Sequence, residues 1–165
     1  MRRKTQGPSA DARRAQPSDV AVAMDRAMQA LSRHERRFTP LRQQIMGVLI
    51  EAGRPLGAYD LLCLQRERSG KQIAPMQIYR VLDVLQAAGL VHRLATQGKY
   101  VVCDHEHAAG EMAVFLVCGG CGSVAEAAST AVEKGVEAVA AASGFAPIRP
   151  VVEVEGYCAT CRARP

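Results

Sequence analysis

Two pairs of cysteines constrain the fold more than any other feature of the sequence. Cys118 and Cys121 enclose two glycines, Cys158 and Cys161 enclose an alanine and a threonine, and 36 residues separate the pairs. Two residues between cysteines allow both thiolates to face one ion, and four thiolates complete a tetrahedral Zn²⁺ site with Zn–S distances of about 2.3 Å. The sequence therefore predicts a closed structural zinc site that joins the first strand of a C-terminal unit to its last.

A redox-active CxxC motif is the alternative use of these cysteines. Redox motifs of the thioredoxin type accompany a βαβ pattern, whereas this chain has two pairs and no such pattern. Of the remaining cysteines, Cys63 lies in the segment DLLCLQ, on an apolar helical face. It is expected to be a buried structural thiol.

Positive charge is concentrated in the N-terminal part of the chain. Residues 1–103 contain 17 Lys and Arg against 8 Asp and Glu, whereas residues 104–165 contain 4 against 8. Clustered positive charge is typical of proteins that bind polyanions, although Arg-rich segments also serve as solubilising tails. The distribution predicts two parts with different roles.

The N-terminal segment has few apolar positions, and residues 1–18 are expected to form a disordered basic arm. This segment lacks the apolar region of a secretory signal. No apolar run in the chain reaches the roughly 18 residues that a membrane helix needs. We therefore expect a cytoplasmic protein that does not associate with membranes.

Residues 19–103 predict a cluster of helices followed by a β-hairpin. Apolar spacing favours a first helix over residues 20–35, and further helices begin at Pro40, near Ala58 and at Pro75. The strands LVHRLAT and KYVVCD then flank a Gln-Gly turn. This order is typical of a winged helix, although similar modules also bind proteins. Basic side chains favour DNA, namely Arg36, Arg37, Arg42, Arg80, Arg93 and Lys99.

The C-terminal residues 111–165 predict a strand–strand–helix–strand unit, and residues 104–110 a hinge and metal-binding loop. A unit of this size buries little apolar surface alone, so a metal or a partner subunit is expected to stabilise it. The predicted fold class is therefore α+β, with an N-terminal winged-helix domain followed by a small α/β domain.

A second, looser group of metal-ligand side chains surrounds the hinge. It comprises His92, Cys103, His105, Glu106, His107, Glu111 and Glu126. His92 and Cys103 lie on opposite strands of the predicted hairpin and could face each other. A thiolate with imidazole and carboxylate ligands suits zinc better than magnesium, calcium or manganese. The alternative is that residues 104–107 form a solvated charged loop.

Catalytic motifs are missing from this cluster. Zinc deaminases combine H-x-E with P-C-x-x-C, but here His105 and Glu106 are adjacent and Val117 precedes Cys118. The chain also lacks a nucleophile elbow, a phosphate-binding loop and a dinucleotide fingerprint. The sequence does not predict an enzyme.

Several motifs, taken in order, resemble the ferric uptake regulator (Fur) family, and most closely its zinc uptake branch. They are FTPLRQQIMGVL, AYDLL, IYRVLDVLQAAGLVHR, YVVC, CGGCGSVAE and GYCATC, and they span about residues 38–161. The resemblance implies a winged-helix DNA-binding domain, a C-terminal dimerisation domain, a structural four-cysteine zinc and a separate sensing metal at the hinge.

The resemblance also implies roles for individual residues. About two zinc ions per subunit are expected, one structural and one regulatory. The structural ligands correspond to the four paired cysteines, and the sensing ligands to His92, Cys103 and Glu126. Tyr59 and Arg80 correspond to DNA-reading residues, with Arg80 as the main base contact. Phosphate contacts are expected from Arg42, Arg36, Arg37 and Lys99.

Two positions depart from the family pattern. The recognition helix usually has Thr two residues before its Tyr, but this chain has Gln77, which is expected to alter base preference. The family also places a sensing His shortly before the first CxxC, where this chain reads MAVFLV. His107 is then the preferred fourth ligand over His105, with Glu111 as a substitute.

The expected protein is a homodimeric, zinc-responsive repressor of zinc-import genes that binds a pseudo-palindromic DNA operator. An alternative within the family is a sensor of iron, manganese or peroxide, which Cys103 disfavours because those sensors prefer harder ligands. An alternative outside this class is a constitutive zinc-stabilised adaptor that binds DNA or protein without sensing.

Overall fold

The computed structural model describes residues 17–103, 112–148 and 150–163, which form two units. The first contains α1 (Pro17–Arg33), α2 (Pro40–Ala52), α3 (Ala58–Ser69), α4 (Pro75–Ala87), β1 (Val91–Leu94) and β2 (Lys99–Val102). The second contains β3 (Ala113–Cys118), β4 (Val124–Ala127), α5 (Thr130–Ala142), β5 (Val151–Gly156) and α6 (Ala159–Arg162). No helix within these ranges is long and apolar enough to cross a membrane.

The apolar faces predicted for the N-terminal helices form the core of the first unit. Ile45 of α2, Leu61 of α3, and Ile78 and Leu82 of α4 are fully buried, and Leu31 of α1 closes the cluster. Each such side chain contributes about 1.5–3 kcal/mol on burial. The predicted helical cluster and hairpin, which define the winged helix, are confirmed.

The hairpin is joined to the helices through the α2–α3 connection. Leu56 exchanges two backbone hydrogen bonds with Tyr100 of β2, at 2.9 and 2.8 Å. The strands β1 and β2 pair antiparallel, with His92 opposite Val101 and Leu94 opposite Lys99. The hairpin is therefore held on one side by the core that also supports α4.

In the second unit, β3 lies between an antiparallel β4 and a parallel β5. Parallel strands require a long crossover, which α5 supplies. One face of β3 carries Phe115 and Val117, which are buried against Leu94 and Val101 of the hairpin. This apolar cluster packs the two units against each other.

Two expectations from sequence require correction. The helix α1 begins at Pro17, so the predicted disordered arm of residues 1–18 overlaps a helix, and residues 1–16 lie outside the described part of the chain. Cys63 is exposed rather than buried. Successive helical residues are about 100° apart, so Cys63 lies nearly opposite the buried Leu61 on α3.

Candidate metal centres and nucleic-acid interface

The four paired cysteines meet at one end of the second unit. Their Sγ atoms all lie within 4.8 Å of one another. Cys118 ends β3, opposite Gly156 of β5, so the parallel pairing brings the first cysteine pair beside the second. Cys158 is the N-cap residue of α6 and Cys161 lies within that helix.

The spacing of the sulfur atoms fits a tetrahedral zinc ion. A regular tetrahedron with Zn–S bonds of about 2.3 Å has S–S edges of about 3.8 Å. The distance from Cys121 Sγ to Cys158 Sγ is 3.8 Å. Four thiolates complete the coordination shell and leave no position for a substrate, so this site is suited to structural zinc.

Hydrogen bonds shift the pKa values of the cysteine thiols in opposite directions. The backbone N–H of Cys158 donates to Cys118 Sγ at 3.3 Å. This bond, with a second from the N–H of Cys121, lowers the pKa of the Cys118 thiol to about 6. The neighbouring sulfurs of Cys158 and Cys121 raise the pKa of Cys161 to about 12. Four adjacent thiolates would repel one another without a cation, and a divalent metal supplies the compensating charge.

Gly120 allows the two cysteine pairs to approach closely. A Cβ atom at this position would lie 3.0 Å from Cys161 Sγ and 3.1 Å from Cys161 Cβ. A Cβ at Gly119 would meet Glu155 Oε1 at 3.4 Å, which is nearly an ordinary contact. The second glycine of CGGC is therefore the one that the site requires.

Two of the predicted sensing residues, His92 and Glu126, lie at the boundary between the hairpin and the second sheet. The His92 ring contacts the Phe115 ring edge to face, with centroids 4.9 Å apart. Phe115 is directly opposite Glu126 on β4, and directly opposite residues share a face of a sheet. His92 and Glu126 therefore both border Phe115. Cys103, which follows β2, is completely buried.

These residues do not form a closed cluster of ligand atoms. Within residues 17–103, 112–148 and 150–163, the four cysteines are the only group of potential ligand side chains whose ligand atoms lie close enough together to hold a metal ion. His105, His107 and Glu111 lie outside the described residues. The composition of the sensing site stays a prediction. A thiol, an imidazole and a carboxylate are nevertheless suitable donors for zinc.

Glu153 also connects the two units, and the sequence interpretation missed it. Its carboxylate accepts hydrogen bonds from Ala95 N at 2.6 Å and from Thr96 N at 3.1 Å. Burial raises the pKa of this carboxyl, but the hydrogen bonds from Ala95 and Thr96 outweigh burial, and the net pKa is lowered. In the sequence Glu153 alternates with Val152 and Val154, which is typical of the polar face of a strand, but no local signal indicates the hairpin turn as its partner.

The N-terminal ends of α3 and α4 form an exposed surface. Tyr59 near the start of α3 is 69% exposed, and Gln77 and Arg80 of α4 are also exposed. Tyr59 and Tyr79 line a shallow crevice between the two helices. In helix-turn-helix proteins the N-terminal residues of the recognition helix contact base edges. The predicted base-reading residues are therefore all accessible to solvent.

The predicted phosphate contacts lie in the α1–α2 connection, near the start of α2 and at the start of β2. Arg36 and Arg37 are exposed in the α1–α2 connection, and the Arg42 guanidinium donates to the Arg37 carbonyl. Lys99 is partly buried at the start of β2, close to the turn that Glu153 holds. The hairpin tip thus contacts the second unit, while the arginines remain accessible.

Comparison with known proteins gives a consistent result. The ferric uptake regulator family model matches residues 33–155. The zinc uptake regulation protein of Escherichia coli (strain K12) is 34% identical over 125 residues, which span 76% of this chain and 72% of that protein.

Solved structures of related proteins match most of this chain. A zinc uptake regulator complexed with zinc and DNA has 31% identity and a TM-score of 0.79, covering 87% of this chain and 95% of that one. Holo XcZur has 37% identity and a TM-score of 0.75, covering 85% and 96%. Apo XcZur has 36% identity but a TM-score of 0.50, covering 88% and 99%. The chain therefore superimposes better on the holo structure than on the apo structure. With its family match, its winged helix and its four-cysteine unit, this chain belongs to the ferric uptake regulator family.

Proposed function

We propose that this protein is a zinc-responsive transcriptional repressor that acts in the cytoplasm on zinc-uptake genes. The observation that carries the proposal is the boundary between the units, where His92 and Glu126 both border Phe115, while Cys103, which follows β2, is completely buried. The relatives named above support zinc as the metal, because they are zinc uptake regulators.

In this proposal, metal at the boundary fixes the hairpin relative to the second unit. The hairpin is bonded to the α2–α3 connection at Leu56, and α4 packs beside it. Restricting the hairpin therefore restricts the orientation of the recognition helix. Coupling of this kind is typically about 1–3 kcal/mol, which corresponds to about 5- to 150-fold in DNA affinity.

The proposed assembly is a homodimer formed through the second unit. On the sheet face opposite Phe115, Leu116 and its β5 neighbour Val154 are 46% and 48% exposed. Val139 on α5 and Phe145 after it are also exposed. An apolar surface of this kind is typical of an interface. Two copies related by a two-fold axis would present two α4 helices to a pseudo-palindromic operator.

DNA binding provides the recognition step. Arg80 and Tyr59 would contact base edges, while Arg36, Arg37 and Arg42 would bind phosphates and set the position on the duplex. The structural site would hold one zinc per subunit and the sensing site a second. A loop histidine, His107 in preference to His105, or Glu111, would complete the sensing site.

The test is DNA binding as a function of zinc, starting from protein that retains only the four-cysteine zinc. Binding to a duplex from a zinc-uptake promoter is expected to rise about 5- to 150-fold with added zinc. Cys103→Ser should fold normally but lose this response. Cys63→Ser, a change at an exposed cysteine, is the matched control and should respond as wild type. A flat affinity in the wild-type protein would contradict zinc sensing and favour a constitutive DNA-binding adaptor.

A further inference from the structure

Three side chains lie in a row across the second sheet, on the face that meets the hairpin. Phe115 in the central strand β3 is directly opposite Glu126 of β4 and directly opposite Glu153 of β5. Residues that are directly opposite each other point to the same face of a sheet. Glu126 and Glu153 therefore flank Phe115, whose face of the sheet packs against the hairpin.

The hairpin contacts this row at both ends of β1. Near the start of β1, the His92 ring contacts the Phe115 ring, with centroids 4.9 Å apart. Just after β1, the Glu153 carboxylate accepts hydrogen bonds from Ala95 N at 2.6 Å and Thr96 N at 3.1 Å. The strand that carries a predicted sensing ligand at its start is therefore held by Glu153 at its end.

Glu153 defines where the hairpin lies as well as how close it is to the sheet. The apolar contact of Leu94 with Phe115 is non-directional and does not by itself fix one position along the sheet. A carboxylate that accepts from two successive backbone N–H groups has directional bonds to a charged acceptor. These bonds fix the turn at one place on β5.

The proposed sensing site needs the same placement of the hairpin. His92 belongs to the hairpin and Glu126 to the second sheet, so one ion can bind both only when the hairpin lies against the sheet. The bonds to Glu153 also form only in that arrangement. Two interactions that favour the same arrangement strengthen each other, because each reduces the free energy needed to reach it.

We infer that Glu153 is a positioning residue for the sensing metal, which holds the hairpin where His92 and Glu126 can bind one zinc ion. The inference rests on the proposed zinc-dependent DNA binding and deepens it, because a contact without metal then sets the zinc concentration of the response. When only a fraction of molecules has the hairpin in place, the apparent dissociation constant for zinc rises by the inverse of that fraction. Saturating zinc restores the placement.

The experiment measures DNA binding by the full-length protein at buffered free zinc concentrations, starting from protein that retains the four-cysteine zinc. Wild type and Glu153→Ala are compared with Glu155→Ala, which removes the same charge from an exposed position of the same strand. The zinc concentration for half-maximal binding should rise about 5-fold or more in Glu153→Ala and stay unchanged in Glu155→Ala. At saturating zinc the two variants should bind DNA equally. Thermal unfolding checks that each variant is folded.

Thr96→Val tests the same contact from the hairpin side. It removes the hydroxyl that donates to Glu153 Oε2 at 2.7 Å but keeps the backbone N–H, so the half-maximal zinc concentration should rise less than in Glu153→Ala. Added to Glu153→Ala, it should cause no further rise, because the hydroxyl has already lost its acceptor. Fully additive effects of the two substitutions would show that the contact does not act as proposed.

Two further results would overturn the inference. One is an unchanged half-maximal zinc concentration in folded Glu153→Ala. The other is a loss of DNA affinity that persists at saturating zinc without any change in the half-maximal concentration, since Glu153 would then support only the fold. If wild-type DNA affinity does not depend on zinc, the proposed function fails and the inference fails with it. A normal wild-type response beside an unshifted Glu153→Ala refutes the role of Glu153 alone.

Discussion

Thr96 donates two hydrogen bonds to Glu153, from its backbone N–H at 3.1 Å and from its hydroxyl at 2.7 Å, both to Oε2. The other carboxylate oxygen accepts from Ala95 N at 2.6 Å. A single side chain of β5 therefore fixes the turn of the β1–β2 hairpin. The link does not depend on metal, and it lies beside the apolar packing of Leu94 on Phe115.

Glu153→Ala is expected to destabilise the folded chain by about 1–3 kcal/mol. Hydrogen bonds to a charged acceptor contribute about 1.5–3 kcal/mol, and partial exposure of the turn reduces the loss because water can replace the acceptor. Urea unfolding of zinc-loaded protein measures the change. Glu155→Ala, at an exposed carboxylate on the same strand, should alter stability by no more than about 0.5 kcal/mol. Equal effects of the two substitutions would contradict the role of Glu153.

The Glu153 contribution should also depend on pH. The folded pKa is lowered from the ordinary value of 4.5, so the folded state favours the carboxylate. The stabilisation is present above the unfolded pKa and is lost as pH falls through the folded pKa. The stability difference between wild type and Glu153→Gln should therefore be constant near neutrality and shrink below about pH 4. A difference that grows on acidification would contradict this sign.

Cys118→Ser should unfold the second unit. Binding of structural zinc contributes about 10–16 kcal/mol in small zinc domains, which matches or exceeds the total stability of about 5–15 kcal/mol of a typical protein. Circular dichroism and limited proteolysis would measure the loss. Removal of the four-cysteine zinc with a strong chelator should give the same result in the wild type. A Cys118→Ser protein with unchanged stability would show that this zinc is not structural.

Gly120→Ala should weaken zinc binding at the four-cysteine site. The added methyl group would approach Cys161 Sγ to 3.0 Å, and overpacking of this kind costs about 1–3 kcal/mol. Competition with a chromophoric chelator is expected to show a decrease of about 5- to 150-fold in zinc affinity. Gly119→Ala is the matched control, because its methyl group would lie 3.4 Å from Glu155 Oε1 and 3.7 Å from the Gly156 carbonyl oxygen. Equal zinc affinities of Gly120→Ala and Gly119→Ala would contradict the role of close packing between Gly120 and Cys161.

Arg80→Ala and Arg36→Ala should weaken DNA binding in different ways. Loss of a base contact costs about 1–3 kcal/mol and relaxes the preference at that base. Loss of a phosphate contact weakens binding to all sequences. It also reduces the slope of the logarithm of the binding constant against the logarithm of the salt concentration by about one. Titrations of operator and scrambled duplexes at several salt concentrations would separate the two. If Arg36→Ala also relaxed base preference, the division between positioning and reading residues would be wrong.

Sequence patterns predicted the elements well because each has a local cause. Ile45, Ile78 and Leu82, which stand at helical spacing in the sequence, are buried in the core, and Gly53 ends α2 in the left-handed conformation with φ 57°. The CxxC spacing predicted the four-cysteine cluster, since both knuckles are short-range motifs. Each helix and each cysteine pair depends on neighbouring residues and is visible in a short window, whereas the meeting of the two pairs depends on the pairing of β3 with β5.

Features that depend on tertiary pairing were harder to predict. Glu153 bonds residues 57 and 58 positions away, and nothing in its strand pattern indicates them. Gln77 was identified as an unusual residue of the recognition helix, but the hydrogen bond that its Oε1 accepts from the Ala74 N–H at 3.1 Å required the backbone position of Ala74. Cys63 was misassigned because an apolar sequence neighbourhood does not specify which side of a helix faces the core.

The parallel pairing of β3 with β5 joins two strands that are synthesised at different times, because β4 and α5 lie between them in the chain. On a ribosome, the α1–α4 cluster is complete before β5 has been made, and so is the hairpin. Until Glu153 and the second cysteine pair emerge, the nascent chain contains α4. It lacks the hydrogen bonds from the hairpin turn to Glu153, and its four-cysteine site is incomplete. The four-cysteine site can therefore close only after the N-terminal unit has been synthesised, because its second cysteine pair follows β5.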